Sequence, residues 1–277
     1  MKLYSKNQRV LDLSQAQVMG ILNVTPDSFS DSGKFFSLDK ALYHAEEMLK
    51  QGASIIDVGG ESTRPMAEEV TLQQELDRVI PVVEAIRQRF DCWISVDTSK
   101  AEVMKAAADA GMDLINDIRA LTEENALQTA AELDLPVCLM HMQGQPKTMQ
   151  ANPEYQNVVE EVLAWLLQRA AICEQAGVRK ENIILDIGFG FGKTLQHNYQ
   201  LLNHLEQFVA TGYPLLIGLS RKSMIGNLLQ KDVNHRLVGS VAGALISVMK
   251  GAHIVRVHDV EATVDALKVW QATKAAI

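Results

Sequence analysis

Cysteine is scarce in this 277-residue chain: Cys92, Cys138 and Cys173 stand far apart, with no CxxC pair among them. An odd, scattered set excludes a disulfide framework and a zinc ribbon, and it predicts a reducing, cytoplasmic compartment. Long apolar runs are also missing. The longest mostly apolar stretch, Val238 to Met249, is interrupted by Gly and Ser and is too short to span a bilayer. The first residues, MKLYSKNQRVLDLS, hold no apolar signal core. We therefore expect a soluble protein with no membrane partner. Excess positive charge is lacking too: 26 basic residues face 34 acidic ones, a net charge of −8. That balance argues against a nucleic-acid partner, and any anionic ligand would need a local cluster of cations. Low-complexity stretches and linkers are absent, which predicts a single domain over residues 1–277.

What the chain does have is repetition. Eight short apolar runs recur: VMGILNV ending at Val24, SIIDVGG from Ser54, WISVD from Trp93 and LINDI from Leu114. PVCLMH from Pro136, IILDIG from Ile183, PLLIGLS from Pro214 and HIVRVH from His253 complete the series. Each is apolar on both faces, as strands of a buried parallel sheet are. Their mean spacing of about 33 residues is the size of one βα unit.

Helical signals fill the gaps. Leu38, Ala41, Leu42, Ala45, Met48 and Leu49 form one apolar stripe. Thr71 with Gln74, and Ser99 with Glu102, have capping-box spacing. Asn152 followed by Pro153 suits the opening of a long helix that ends at Gly177. Pro81 inside the second helical pattern predicts a kink. Gly52, Gly111, Gly177 and Gly251 each separate a helical pattern from the next strand, as C-terminal caps do. Eight such units fit either an open doubly wound sheet or a closed (β/α)8 TIM barrel. The first strand is followed by NVTPDSFSD and not by GxGxxG, so the closed α/β barrel is the expected fold.

In such a barrel the active site forms where strands end. Polar residues gather there: Asn23, Asp57, Glu61 to Arg64, Asp97, Asn116, Asp117, His141, Asp186, Ser220 to Lys222, Arg256 and His258. Thr98, Ser99 and Asp117 also suit helix capping. Asp97 and Asp186 lie inside apolar runs, where a carboxylate needs hydrogen-bond donors. With Asn116 they make a receptor for a flat heterocycle rich in N–H groups. Arg64, Lys222, Arg256 and His258 supply the cations that an anion requires. Arg256 and His258 also suit a core salt bridge, and Arg221 a solvated position. His141, before the MQGQP turn, reads as packed or hydrogen-bonded. No other histidine stands at metal-ligand spacing, so a metal would be a hard cation held by Asn23 and phosphate oxygens. The run IGFGFGKT has isoleucine where a Walker loop needs its first glycine, which leaves a flexible loop beside Asp186 and not an ATP site.

Taken together, these segments resemble the bacterial dihydropteroate synthase family over essentially the whole chain. The resemblance rests on NVTPDSFSD at Asn23–Asp31, GGESTRP at Gly59–Pro65, VDTSK at Val96–Lys100 and NDI at Asn116–Ile118. LMHMQGQPKTMQ at Leu139–Gln150, GFGFGK at Gly188–Lys193, SRKS at Ser220–Ser223 and RVHDV at Arg256–Val260 extend it in family order. The resemblance implies a (β/α)8 barrel transferase. It would join 4-aminobenzoate to a hydroxymethyl dihydropterin pyrophosphate, giving dihydropteroate and pyrophosphate for folate synthesis.

By the same resemblance, Asp97, Asn116, Asp186 and Lys222 hold the pterin. Thr63, Arg64, Arg256 and His258 border the pyrophosphate, with Asn23 at a Mg2+ cofactor, and Val257 is a further substrate-binding residue. Thr63, Pro65, Ser220 and Phe29 line the aminobenzoate pocket, where sulfonamides bind. Asp97, Asp186, Lys222, Arg256 and His258 are the expected catalytic set, and a homodimer through late helices is the expected assembly. Ile187, Met66 and Ser32 depart from the family's usual proline and glycines without removing a site group. Corrinoid methyltransferases share the pterin cradle, but a methyl-transfer reading leaves Arg256, His258 and the first loop unexplained. A non-catalytic pterin-binding relative stays open at this level. A sugar-phosphate barrel would not need Asp97 and Asp186.

Overall fold

The computed structural model describes residues 1–6, 8–24, 34–61, 70–144, 149 and 152–276. The chain opens with a two-stranded antiparallel hairpin, β1 (Lys2–Tyr4) and β2 (Val10–Asp12). Eight parallel strands follow and close on themselves. They are β3 (Gln17–Asn23), β4 (Ile55–Gly59), β5 (Trp93–Asp97), β6 (Leu114–Asp117), β7 (Val137–Met140), β8 (Ile183–Asp186), β9 (Leu215–Ile217) and β10 (Ile254–Val257). Each pairs with the next in sequence, and β10 closes the ring on β3. The fold is the expected single-domain (β/α)8 barrel.

Helices cover the outside: α1 (Lys34–Lys50), α2 (Leu72–Arg89), α3 (Ala101–Asp109), α4 (Ala126–Leu133) and α5 (Val158–Gln175). The later ones are α6 (Leu195–Asn203), α7 (Leu205–Val209), α8 (Ser223–Leu229), α9 (Leu237–Met249) and α10 (Val260–Ala275). The four glycines read as helix stops all stand at φ between +101° and +104°, a region that costs a side chain dearly. Thr71 and Gln74 form the expected capping box, and α2 continues through Pro81 to Arg89.

Two expected helix starts differ. Residues 152–157 stay outside the helix, and α5 begins where the Asn157 side chain accepts from Val159 N and Glu160 N at 3.2 and 3.3 Å. Ser99 does not cap α3, because its hydroxyl donates to Asp117 Oδ1 instead.

Strand periodicity sorts the barrel into two cores. Ile56, Val58, Ile94, Val96, Ile115, Val137, Leu139, Leu185 and Val255 point outward against the helices. The alternate residues Met19, Ile55, Trp93, Leu114, Cys138, Ile184, Leu216 and Ile254 fill the barrel's lower interior. The hairpin brings Leu3, Leu11 and Leu13 into that interior cluster and plugs its floor. Each buried leucine is worth roughly 1.5–3 kcal/mol, which explains why the opening residues fold onto the barrel. Nothing in their pattern announced this. All three cysteines are free and buried.

Candidate active site

The same period of two builds the site. One or two steps above the apolar floor, the inward positions are occupied by Asn23, Asp57, Asp97, Asn116, Asp186 and Arg256. The strand ends therefore converge on a polar cluster that rests on an apolar plug. Asp57 is fully buried and accepts from Arg256 Nε at 2.6 Å. It also accepts from Asn116 Nδ2 at 3.3 and 3.4 Å. Arg256 Nη2 reaches Asp97 Oδ2 at 3.0 Å. One guanidinium from β10 thus bridges two carboxylates on the adjacent strands β4 and β5, with an amide joined to one of them.

Electrostatics follow from that packing. Burial raises the Asp97 carboxyl and is opposed chiefly by Arg256. Burial also works against the charge of Arg256, but Asp57 and Asp97 outweigh it and hold the guanidinium above its ordinary value. Asp186 is raised by burial against the pull of Lys222, and its Oδ1 accepts from Gly188 N at 2.8 Å. Lys222 is lowered to about 8 by burial, with Asp186 opposing. Its ammonium donates to Phe189 O at 2.6 Å and lies 4.6 Å from the centre of the Phe191 ring. Ser220 Oγ accepts from His258 N at 3.2 Å and stands 3.1 Å from His258 Nδ1.

Most sequence expectations on the described residues meet at this end of the barrel. Asp97, Asn116, Asp186, Lys222 and Arg256 do so, and Ser220 pairs with His258. The Val257 side chain is buried in the outer core, because a strand residue next to inward Arg256 must point outward, so only its backbone faces this end of the barrel. Phe29, Thr63, Arg64 and Pro65 lie outside the described residues. Arg221 is no solvated bystander, for its Nε donates to Asp259 Oδ2 at 2.9 Å. Asp117 holds the loop after β6 through Arg119 N and Leu121 N, the capping role.

Two site groups escaped the sequence reading. Asp57 was grouped with the strand-end residues but given no role, although it sits in an apolar run as Asp97 and Asp186 do. Lys193 ends a glycine-rich run that the sequence marks as a flexible loop. It is 3% exposed, and its ammonium holds that loop closed from within.

Among the described residues no three His, Cys, Asp or Glu side chains gather to hold a metal. Asn23 ends β3 beside Gly59, where an added Cβ would meet Asn23 Oδ1 and Asp97 Cβ, each at 3.6 Å. The missing side chain keeps that space open. An amide oxygen with the Asp97 carboxylate oxygen at 4.0 Å from the same point suits a hard cation that takes its other ligands from water and phosphate.

A closed barrel with buried carboxylates, an amide and a bridging guanidinium at its strand ends defines an enzyme that grips a flat, nitrogen-rich ring. A family profile described as pterin binding enzyme matches residues 19–258. Dihydropteroate synthase of Haemophilus influenzae is 69% identical over 273 residues, covering 99% of each chain. The Yersinia pestis dihydropteroate synthase, solved with a sulfonamide drug, shares 56% identity with a TM-score of 0.95 over 100% of both chains. The Xanthomonas albilineans enzyme, solved with 4-aminobenzoic acid, shares 46% with a TM-score of 0.94, covering 100% of this chain and 99% of that one. The chain belongs to the pterin-binding enzyme family, among its dihydropteroate synthases. No helix among the described residues is long and apolar enough to cross a membrane.

Proposed function

We propose that this chain joins 4-aminobenzoate to hydroxymethyl dihydropterin pyrophosphate, releasing dihydropteroate and pyrophosphate. The observation that carries the reading is the cluster of Asp97, Asn116, Asp57 and Arg256 beside Asp186 and Lys222. In it Asp97, Asn116 and Asp186 offer acceptors to ring N–H groups, and Lys222 donates to a ring acceptor. Arg256, held on edge by Asp57, carries fixed positive charge toward the leaving pyrophosphate, joined by His258 and by Arg64. The dihydropterin ring delocalises positive charge on its methylene, so departure before amine attack is the favoured order. Asp97 and Asp186 then stabilise the cationic pterin. The aniline nitrogen needs only placement near the methylene, through Ser220 and through Thr63, Pro65 and Phe29.

Mg2+ fits the Asn23 amide oxygen and would supply charge neutralisation of the leaving group. Sulfonamides, as bound by the Yersinia pestis relative, would occupy the aminobenzoate position. We place the enzyme in the cytoplasm, in line with its free, buried cysteines. It would act as a homodimer through α8 and α9, whose surface carries Leu228, Val238, Ile246 and Met249.

The test is pyrophosphate release with and without 4-aminobenzoate in the presence of Mg2+. Release that rises with aminobenzoate and yields dihydropteroate is the expected result. Slow release without it would support departure before attack. Pterin binding with no release would point to a non-catalytic relative or to methyl transfer.

A further inference from the structure

We propose that Lys193 is a positioning residue for pterin recognition: from behind the site it holds the 187–193 loop, and through that loop it sets the places of Lys222 and Asp186. The inference rests on the pterin reading above.

The loop is a compact knot. Gly188 and Gly192 stand at φ +71° and +62°, and a Cβ on either would come within 2.0 Å of His141 O or 2.4 Å of Gln143 O. The backbone therefore lies directly on the segment that follows β7, and its turns aim carbonyls inward. Lys193 Nζ donates to Gly188 O at 2.9 Å and to Phe191 O at 3.0 Å. Its third proton faces His141 Nδ1 at 3.0 Å. An ammonium has three donors, and all three are used. His141 is itself held, 5% exposed, edge-on to Trp165 with ring centres 5.1 Å apart. Its backbone N–H donates to Asp186 O at 3.0 Å. Tyr155 closes the outer side by donating to Gly192 O at 2.9 Å.

The opposite face of the knot carries the binding groups. Phe189 O receives Lys222 Nζ, the Phe191 ring lies under the same ammonium, and Gly188 N donates to Asp186 Oδ1. Each of these contacts comes from a residue whose own or adjacent carbonyl Lys193 holds. Removing the ammonium would strip Phe191 O of its lysine donor and leave Gly188 O with the Phe191 N–H alone, and the loop would have to open to water. Phe189 O and the Phe191 ring would move with it, and Lys222 would lose its seat. Lys193 is buried too deeply to touch ligand, so it acts through these neighbours. Burial lowers Lys193 to about 7, with the Asp186 carboxylate opposing that fall.

The experiment uses three variants of the full chain. Lys193→Met keeps the stem and removes the ammonium. His141→Phe keeps a ring against Trp165 and removes the acceptor, whereas His141→Asn keeps an acceptor near the Nδ1 position. Equilibrium binding of hydroxymethyl dihydropterin pyrophosphate with Mg2+, both KM values and the melting temperature are measured for each. Pterin affinity should fall about tenfold or more in Lys193→Met and His141→Phe and only about threefold or less in His141→Asn. The KM for 4-aminobenzoate should stay within about twofold in all three. Lowered melting temperatures with wild-type pterin affinity would overturn the inference, as would equal losses in the two His141 variants. Should Lys193→Met fail to fold, the His141 pair decides. Failure of the wild-type chain to bind the pterin would overturn the functional reading itself.

Discussion

Arg256 Nε lies 2.6 Å from Asp57 Oδ2, an ion pair that reaches past β3 from the last barrel strand to the second. Asp57 has no exposed surface, so this carboxylate orients the guanidinium and is not itself free to meet bulk solvent. Removing one partner of a buried pair costs roughly 3–5 kcal/mol, because the other charge is left uncompensated. Here Asp97 retains a hold on Nη2, which should soften the loss. Asp57→Asn should lower the melting temperature and reduce kcat/KM about a hundredfold. Thermal unfolding and pyrophosphate-release kinetics check this. Wild-type turnover would show that Arg256 needs no orienting carboxylate.

Asp186 faces a different demand, since its charge is set against Lys222 and burial at once. Asp186→Asn is nearly isosteric but removes a charged acceptor, an exchange worth roughly 1.5–3 kcal/mol. The pterin KM should rise about tenfold to a hundredfold while the fold is retained. Near-normal kinetics would remove Asp186 from the pterin site.

The proposed Mg2+ role rests on the Asn23 amide oxygen. Asn23→Ala should raise the Mg2+ concentration needed for half-maximal pyrophosphate release, and pterin binding without pyrophosphate should be unchanged. A titration of activity against Mg2+ in chelator-treated enzyme reads this directly. An unchanged midpoint would place the metal elsewhere.

His141 sets an acid limit on stability. Burial, then the facing Lys193, lowers it from 6.5 to about 3. Between those values the unfolded chain binds the proton and the folded chain refuses it. Stability is therefore full above pH 6.5 and is lost as the pH falls toward 3, by up to roughly 1.4 kcal/mol per unit. Urea unfolding at pH 7 and pH 5 should show a larger loss for the wild type than for His141→Asn. Equal losses would mean that His141 is protonated in place.

Val238 is 76% exposed on α9, and α8 and α9 between them also expose Leu228, Leu229, Leu237 and Met249, the apolar surface on which the proposed dimer rests. Val238→Asp should convert a dimer to a monomer in sedimentation equilibrium, with the melting temperature falling as association is lost. A monomeric wild type would refute the assembly.

Much of this was legible along the chain because a strand's period of two and a βα unit's length are local properties. Eight apolar runs at regular spacing required a parallel sheet. Asp97 and Asp186 stood out because a carboxylate within such a run must have partners. Helix starts were less legible: the Asn152–Pro153 pair carried a start signal, yet the Asn157 side chain reached two free backbone N–H groups and began the helix there. The alternation that places Arg256 inward turns the Val257 side chain outward, since neighbours on a strand face opposite ways.

Composition and local pattern thus settled the barrel, the strand ends that bear chemistry and the families of side chain gathered there. Partnership was set only when distant strands met. Asp57 and Arg256 lie on strands at opposite ends of the chain, and no local rule assigns one to the other. Lys193 looked like the end of a flexible loop because an ammonium is ordinarily solvated. Folding surrounded it with three carbonyls and an imidazole, and four acceptors in one place outweighed its preference for water.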